Sequence, residues 1–293
     1  MARTRTGSFP IGFRRGGTWQ KDLKALIQWA KANGFEGLDV GPLPPEDFKA
    51  ITAAGLRIGT VDFEHDTRPL ASPDAGKRRA AAQANAEYIN AAAPLGAKLF
   101  FTVMIPEDAA RTRRENHSYA VDGLGQLCAA IAPSGAKVVL EGWPGGPNAC
   151  ALACTPESCR ALLKDVGSPA LGINFDPSHL IRMGIDHVRF ISEFAPHVYH
   201  VHGKDTELLD DDLYEYGRLQ AAVFTKAHFC GEWAWRYCIP GHGCARWGKL
   251  LGVLKSAGYQ GMVSVELEDE NFNGTEEGEK RGLVAAKDFL ASV

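Results

Sequence analysis

Long apolar runs are missing from this chain. Its 293 residues contain no stretch of about 18 apolar residues, and the polar start Met1–Thr6 is followed by no hydrophobic signal core. We therefore expect neither a membrane contact nor export, and we predict a cytoplasmic protein.

An excess of basic charge is also missing. The formal net charge is -3 at pH 7, so electrostatics do not predict a nucleic-acid partner. The seven cysteines are an odd number for a disulfide framework. Four of them, Cys128, Cys150, Cys154 and Cys159, lack the paired short spacing of a zinc ribbon, so we expect small buried thiols there.

Breaks in composition and low-complexity linkers are absent as well, and no solenoid-length repeat occurs. A closed α/β barrel commonly takes about 250 residues. One domain over residues 1–293 is therefore expected.

Strand-like and helix-like patterns alternate along the chain, which predicts parallel strands joined by helices. The predicted strands are Phe9–Phe13, Gly37–Val40, Leu56–Phe63, Lys98–Ile105, Lys137–Glu141, Leu171–Asp176, His197–His202 and Met262–Glu266. The predicted helices are Trp19–Ala32 with Thr18 as its cap, Pro45–Ala54, Gly76–Ala93, Ser118–Ile131, Thr155–Val166, Ile185–Phe194, Trp247–Ala257 and Glu277–Ser292. Eight such units predict a (β/α)8 TIM barrel.

Side chains of metal-ligand type stand at the downstream ends of four of these strands. They are Glu141, Asp176, His202 and Glu266, with His179 close behind Asp176. Because strand side chains alternate between faces, the polar set of each strand is expected to point inward while the apolar set meets the helices. The four ends should then converge at the mouth of the barrel.

One connection is far longer than the others. About forty residues, from Asp205 to Arg246, separate the seventh strand from its helix, whereas loops have a median of about 4 to 6 residues. The connection follows a strand's carboxyl end, the face on which barrel enzymes carry their sites. Its aromatic rings, with Trp235 among them, and Arg236 suit a polyol substrate, but a buried cover over the core is an equal alternative.

Several short motifs in the second half resemble the xylose-isomerase-like barrel family, the group that includes ketose 3-epimerases, inosose dehydratases and keto-glycoside lyases. They are Val139-Leu-Glu141, Asp176-Pro-Ser-His179, His200-Val-His202-Gly-Lys-Asp205, Arg236 with Pro240-Gly-His-Gly243, and Gly258-Tyr-Gln-Gly261 leading into Val265-Glu266. In the first half of the chain, only the alternation of strand-like and helix-like patterns matches this family.

The resemblance implies one divalent metal held by Glu141, Asp176, His202 and Glu266, with His179 beside it and Arg236 on the substrate. Three carboxylates and one imidazole suit Mn²⁺, with Mg²⁺ or Co²⁺ as alternatives, better than a soft-ligand metal. Glu141 and Glu266 are also the expected catalytic acid and base, since a carboxylate at the metal's edge can move a proton to or from carbon.

Other polar residues near the predicted mouth leave alternatives open. Lys204 is expected to face substrate, or else to pair with Asp205, and His200 to be a hydrogen-bonded core residue. Glu268 becomes a ligand only if the register slips by two residues. Which of Asp62, Glu64 and His65 faces the site is undecided, because Val61-Asp-Phe-Glu64 permits either register.

The leading functional hypothesis is a metal-dependent sugar isomerase or epimerase that works through an enediolate. A lyase or dehydratase that performs β-elimination on a keto-sugar or 3-keto-glycoside shares the first proton transfer and is the nearest alternative. An apurinic endonuclease and a non-catalytic sugar-binding barrel rank lower. The expected partner is a small sugar, and homo-oligomer formation stays open.

Overall fold

Eight parallel strands form a closed barrel in the structure, a computed structural model that describes residues 1–16, 19–145, 151–218 and 220–293. The barrel strands are β1 (Ile11–Arg14), β2 (Gly37–Val40), β3 (Arg57–Asp62), β4 (Leu99–Thr102), β5 (Lys137–Glu141), β6 (Leu171–Phe175), β7 (Val198–Gly203) and β10 (Val263–Val265). Around the barrel they run in the order β1-β10-β7-β6-β5-β4-β3-β2. The predicted TIM barrel is confirmed.

Helices lie between the strands along the chain, as predicted. They are α1 (Leu23–Ala32), α2 (Pro45–Ala53), α3 (Ala75–Ala92), α4 (Arg113–Ile131), α5 (Pro156–Val166), α6 (Pro177–Arg182), α7 (His187–Phe194), α8 (Asp210–Tyr216), α9 (Trp247–Ser256) and α10 (Glu276–Ser292). Two of them, α6 and α8, were not predicted, because six or seven residues are too few to show a helical period.

Capping side chains explain which helices begin close to the predicted residue and which do not. Helix α5 begins one residue after its predicted start at Thr155, because Thr155 is its cap, with its side chain accepting from the Ser158 N–H. The start predicted for α4, at Ser118, was wrong: the helix begins at Arg113, where Thr112 and Glu115 form a capping box. Thr18 lies outside the described residues, and Asp22 caps α1 after a short 3-10 turn.

One compact unit comprises Met1–Gly37, Asp176–Pro196 and Val201–Val293. Its core includes a cluster of aromatic rings in which Phe13, Trp29 and Phe35 lie within 5.7 Å of one another, centroid to centroid. Within this unit β10 pairs in parallel with β1 and with β7, opposing Ser264 to Gly12 and to His202. Three neighbouring strand ends are thereby aligned.

A second compact unit comprises Leu38–Phe175 and His197–His200. Here β3, β4, β5 and β6 pair in parallel, with Glu141 opposite Asn174. Helix α4 packs so closely on the turn before α3 that a Cβ at Gly123 would lie 2.0 Å from the Leu70 carbonyl oxygen, so only glycine fits there. That one domain spans residues 1–293 stays a prediction.

The long connection after β7 contains structure of its own. Strands β8 (Asp205–Leu208) and β9 (Trp235–Cys238) form an antiparallel hairpin with α8 between them. The buried Asp205 carboxylate accepts from the backbone N–H groups of Gly241 and Ala245 and from the Trp247 indole N–H. These bonds fasten the end of the hairpin, and a Cβ at Gly243 would lie 2.4 Å from Asp205 Oδ1.

Among the described residues, no helix is both long and apolar enough to cross a membrane.

Candidate metal centre

Asp176 lies between the end of β6 and the start of α6, and its role as the N-cap of α6 fixes the direction of its carboxylate. Its Oδ1 accepts from the Ser178 N–H at 2.8 Å as the N-cap of α6. Pro177 at the first helical position suits this start because no N–H is needed there. The other oxygen, Oδ2, is buried and accepts no hydrogen bond within the described part of the chain. It lies 3.3 Å from His179 Nε2 and from Lys204 Nζ without a hydrogen bond to either, so it can accept a further partner.

His202 and Glu266 come together because β7 and β10 are neighbours in register. His202 lies opposite Ser264, and its Nδ1 is 3.3 Å from Glu266 Oε2. From the other neighbouring strand, Arg14 Nε approaches Glu266 Oε1 at 3.4 Å. Arg14 was not singled out in the sequence, where one arginine at a strand end carries no distinguishing signal.

Lys204 lies among these carboxylates and is only 2% exposed. Its Nζ is 2.6 Å from Glu266 Oε2, 2.9 Å from Glu268 Oε2 and 3.3 Å from Asp176 Oδ2. The ammonium thus contacts two predicted ligands. Glu268 also reaches this cluster, from a position beyond the end of β10.

These contacts decide the ionisation of Glu266. Burial by itself raises the pKa of Glu266, but the positive charges of Lys204, His202 and Arg14 outweigh that effect and hold the pKa well below its usual range. Glu266 is therefore ionised at neutral pH and can serve as a ligand or as an acceptor of a proton.

Glu141 is the last residue of β5 and is 4% exposed. Asn174, opposite it on β6, donates through Nδ2 to Glu141 Oε2 at 2.6 Å. This bond holds the carboxylate at the end of its strand. The sequence offered no signal for this role of Asn174, since the pairing depends on the register of two strands.

The four predicted ligands can each offer one donor atom, and these atoms lie within 4.8 Å of one another. They belong to Glu141, Asp176, His202 and Glu266. Three carboxylates and an imidazole form a carboxylate–histidine site of the kind that holds a divalent metal ion.

His179, one turn into α6, is 1% exposed and lies beside Asp176. Its Nε2 is 3.3 Å from Asp176 Oδ2. On the other side of the ring, Nδ1 is 2.7 Å from the hydroxyl of Tyr237 on β9. Tyr237 was missed in the sequence, because the hairpin that carries it has no periodic pattern.

Trp235 and Arg236 are neighbours on β9 and therefore face opposite sides of the hairpin. Trp235 is 7% exposed, with the Arg182 guanidinium 4.7 Å from its ring centre. Arg236 donates to Glu207 at 2.7 Å and also to Glu270. Substrate binding by these two residues stays a prediction.

The remaining polar candidates lie elsewhere. His200 is fully buried with Nε2 2.9 Å from Asp39 Oδ2, which confirms the predicted hydrogen-bonded core histidine. Glu64 and His65 are exposed, whereas Asp62 is half-buried.

Three of the four cysteines expected to be small buried thiols are confirmed as such. Cys128, Cys154 and Cys159 are buried thiols, and Cys159 Sγ donates to the Ala153 carbonyl at 2.9 Å. Burial raises the pKa of Cys128 to about 11. Cys150 lies outside the described residues.

A cavity of about 300 Å³ opens beside Glu266. Its lining includes Arg14, Arg15, Phe229, Cys230, Glu266 and Glu268. The cavity brings the first strand, the last strand and the long connection to one space next to the predicted metal ligands.

A sequence model described as "xylose isomerase-like TIM barrel" matches residues 27–293. The chain belongs to this family. Family membership agrees with the closed barrel.

Relatives in sequence include two bacterial proteins. The uncharacterised protein YfiH of Bacillus subtilis is 36% identical over 120 residues, which is 40% of this chain and only 37% of that protein. An inosose dehydratase of Geobacillus thermodenitrificans is 24% identical over 254 residues, covering 81% of this chain and 79% of the relative.

Solved structures of the same fold include two with sequence identity of 17%. The 3-keto-D-glucoside 4-epimerase YcjR of E. coli superposes with a TM-score of 0.71, over 96% of this chain and 98% of that one. The IolI protein, whose structure contains a zinc atom, superposes with a TM-score of 0.65, over 96% and 95% of the two chains. At this identity the likeness concerns the fold alone.

Proposed function

We propose that the protein is a divalent-metal-dependent sugar isomerase or epimerase that works through an enediolate. The observation that carries the proposal is the convergence of four ligand-type atoms, from Glu141, Asp176, His202 and Glu266, within 4.8 Å. Glu141 and Glu266 are proposed as the groups that move the proton. A cytoplasmic location and a small sugar as partner belong to the same proposal.

The donor atoms fit a divalent cation. Asp176 Oδ2 is buried and accepts no hydrogen bond from the described residues. The Lys204 ammonium 3.3 Å away is shared with Glu266 and Glu268, so a further cation would stabilise this oxygen. The set has mostly hard oxygen donors, which favours Mn²⁺, with Mg²⁺ or Co²⁺ as alternatives. The zinc found in IolI keeps the identity of the metal open to experiment.

Charge balance also supports a cation at this place. With Glu268, four carboxylates carry two negative charges more than a divalent ion would compensate. Lys204, whose Nζ is 2.6 Å from Glu266 and 2.9 Å from Glu268, and Arg14, 3.4 Å from Glu266, supply two positive charges. The ammonium and the ion would thus complement rather than exclude each other.

A divalent ion bound here would supply the positive charge that stabilises negative charge on adjacent substrate oxygens. The chain's own carboxylates then handle the proton. Glu266 is ionised, because Lys204, His202 and Arg14 hold its pKa low, and it is proposed as the carboxylate that takes the proton from carbon. Glu141, held by Asn174 at 2.6 Å, is proposed as the partner that returns a proton.

Substrate recognition is proposed for His179, Lys204, Trp235 and Arg236. His179 and Lys204 each place a nitrogen 3.3 Å from Asp176 Oδ2, so both can donate to a substrate oxygen at that place. Trp235 offers an aromatic face. Arg236 would have to exchange part of its pairing with Glu207 and Glu270 for the substrate.

A second candidate function is β-elimination on a keto-sugar or a 3-keto-glycoside. The observation in its favour is the cavity of about 300 Å³ beside Glu266, which offers space for a leaving group next to the proposed base. The relative in Geobacillus thermodenitrificans is named an inosose dehydratase. Both candidates begin with the same proton abstraction and differ only in the second step, which is reprotonation in one and loss of a leaving group in the other.

Proton NMR of product mixtures tests the two candidates. The protein, purified and loaded in turn with Mn²⁺, Mg²⁺, Co²⁺ or Zn²⁺, is incubated with a panel of ketoses, inososes and 3-keto-glycosides. We expect an epimeric or isomeric sugar with the same molecular mass as the substrate. A product lighter by one water or by the aglycone would establish the lyase instead. The metal-weakened variant Asp176→Asn provides the inactive control, and no turnover of the panel by any loaded form would contradict both candidates.

A further inference from the structure

The hairpin of the long connection makes one hydrogen bond to α6 that the proposed reaction does not use. The Tyr237 hydroxyl lies 2.7 Å from His179 Nδ1. Both side chains are buried, with exposures of 5% for Tyr237 and 1% for His179. The two rings meet edge to face, at 5.4 Å between centroids and an interplanar angle of 78°. Bulk water therefore does not compete for this bond.

The direction of the hydrogen bond is determined by the other side of the imidazole. His179 Nε2 faces Asp176 Oδ2 at 3.3 Å. An ionised carboxylate oxygen only accepts, so a lone pair on Nε2 would be repelled there, whereas an N–H is attracted. A neutral imidazole with its proton on Nε2 has a lone pair on Nδ1. The phenol hydroxyl is then the donor to Nδ1.

The surroundings of Tyr237 keep that hydroxyl protonated. Burial raises the pKa of Tyr237 far above its ordinary value, and the nearby cations Lys204 and Arg182 offset this only in part. Lys204 Nζ lies 4.6 Å from the ring centre of Tyr237, and the Arg182 guanidinium lies 5.7 Å from it. The ring thus contacts two cations through its π-face while its hydroxyl serves His179.

The hairpin is anchored to α6 through its other strand as well. Thr206 on β8 stands opposite Tyr237 on β9. The Thr206 hydroxyl donates to the carbonyl of Ser178, the residue before His179, at 2.8 Å. The distance between Tyr237 and His179 is therefore set by hydrogen bonds on both strands of the hairpin.

We propose that Tyr237 is a positioning residue: its hydroxyl donates to Nδ1 of His179 and, together with Asp176 on the other side of the ring, holds this histidine as an Nε2–H donor directed at Asp176 Oδ2 and at the substrate. The long connection is then part of the catalytic apparatus. The tautomer of His179 can be measured without any reaction. Only the expected effect of the tautomer on turnover rests on the proposed function. A hydrogen bond to the far nitrogen of an active-site histidine commonly sets its tautomer.

Nitrogen-15 NMR of histidine-labelled protein measures the tautomer without any substrate. His179→Gln identifies the His179 signals by their loss. In the wild-type protein we expect an unprotonated Nδ1 and a protonated Nε2. In Tyr237→Phe, where Asp176 alone favours this tautomer, we expect the signals to shift toward those of the Nδ1-protonated form. A protonated Nδ1 in the wild-type protein overturns the proposal, and this result does not depend on whether the variant folds. An unchanged tautomer in folded Tyr237→Phe also overturns it.

Tyr259→Phe is the matched control. Tyr259 is likewise buried and donates through its hydroxyl to the Met262 carbonyl at 2.7 Å. This variant therefore loses a hydrogen bond of the same length that does not involve His179. The His179 signals should not move in it. A shift equal to that of Tyr237→Phe would assign the effect to general loosening of the fold and contradict the proposal.

Turnover provides the second readout. With the true substrate, Tyr237→Phe should lower kcat/KM about 10-fold while metal content stays unchanged, which is the lower end of the range for removing a hydrogen bond behind an active-site histidine. Unchanged kcat/KM beside a changed tautomer would refute the catalytic part of the proposal while the NMR result stands. Absence of turnover in the wild-type protein would count against the proposed function only.

Discussion

Two groups of charged side chains differ in burial, although each contains a short ion pair. The strand-end cluster, Asp176, His202, Lys204 and Glu266, includes a contact of 2.6 Å between Lys204 and Glu266, with exposures of 2% and 15%. The hairpin cluster, Glu207, His228, Arg236 and Glu270, includes a contact of 2.7 Å between Arg236 and Glu207, with exposures of 21% and 37%. Nearly equal distances thus occur in unequal dielectric surroundings.

The two clusters differ in how their ion pairs affect the stability of the fold. Half-exposed ion pairs contribute about 0 to 1 kcal/mol to stability, so the hairpin cluster is compatible with a structural role. Burying a charged group costs several kcal/mol of desolvation free energy per ion, and only the attraction between the buried charges offsets this cost. A chain that buries several carboxylates around one lysine is expected to use them for something other than stability, and a bound cation is the simplest use.

The largest effect should result from changing the charge of the strand-end cluster. Asp176→Asn keeps an oxygen that can cap α6 but removes the negative charge from the open acceptor Oδ2. We expect the affinity for the divalent ion to fall about 1,000-fold, because hard cations depend on the number of charged oxygen ligands. Isothermal titration calorimetry with Mn²⁺ measures the loss.

Asp186→Asn is the control for that experiment. Asp186 caps α7 by accepting from the N–H groups of Val188 and Arg189, so it repeats the helix cap at an exposed position outside the strand-end cluster. Metal affinity should not change in it. Full metal occupancy in the double variant Asp176→Ala, His202→Ala would refute the metal site.

The second largest effect concerns the stability of the strand-end cluster. Lys204→Met leaves the buried carboxylates of Glu266 and Asp176 without the ammonium, so the free energy of unfolding of the metal-free protein should fall by about 3 kcal/mol. Because a divalent ion compensates the same carboxylates, saturating metal should recover part of this loss. Urea unfolding with and without metal measures both values. Equal losses in the two conditions would mean that the ion and Lys204 do not share these carboxylates.

The smallest effect is expected in the hairpin cluster. Arg236→Ala should lower kcat/KM. The loss of transition-state stabilisation should be about 1 to 3 kcal/mol, the range for a lost hydrogen bond with a charged partner. Metal content should not change, and the free energy of unfolding should fall by no more than about 1 kcal/mol. Steady-state kinetics and metal analysis on the same samples measure this. Glu207→Gln breaks the pairing but keeps the cation, so equal losses of kcat/KM in both variants, or no loss in Arg236→Ala, would leave Arg236 a structural residue.

Periodicity and capping signals were sufficient to predict the barrel, since repeated apolar runs report directly on buried strands. Strands β2 and β5 have the predicted bounds, and others differ by a few residues at their ends. Helix α6 and the β8–β9 hairpin were not predictable in this way. Their lengths of four to six residues are too short for a period, and tertiary contacts such as those of Asp205 hold them.

The candidate site was predictable as far as strand ends determine it. The four metal-type donors converge as their positions at the ends of β5, β6, β7 and β10 implied. Contacts that depend on register or on the hairpin were not predictable. The bond from Asn174 to Glu141, the approach of Arg14 to Glu266 and the bond between Tyr237 and His179 belong to that class.

Turnover in D₂O tests directly whether a carboxylate takes the proton from carbon. Glu141 or Glu266 acting as base would hold the abstracted hydrogen on a carboxyl group, where it exchanges with solvent before it returns. Deuterium should therefore enter the product at the carbon that changes, and Glu141→Gln and Glu266→Gln should abolish the exchange, with metal content measured on the same samples. Retention of the substrate's own hydrogen at the receiving carbon through many turnovers would show a hydride shift and contradict the account.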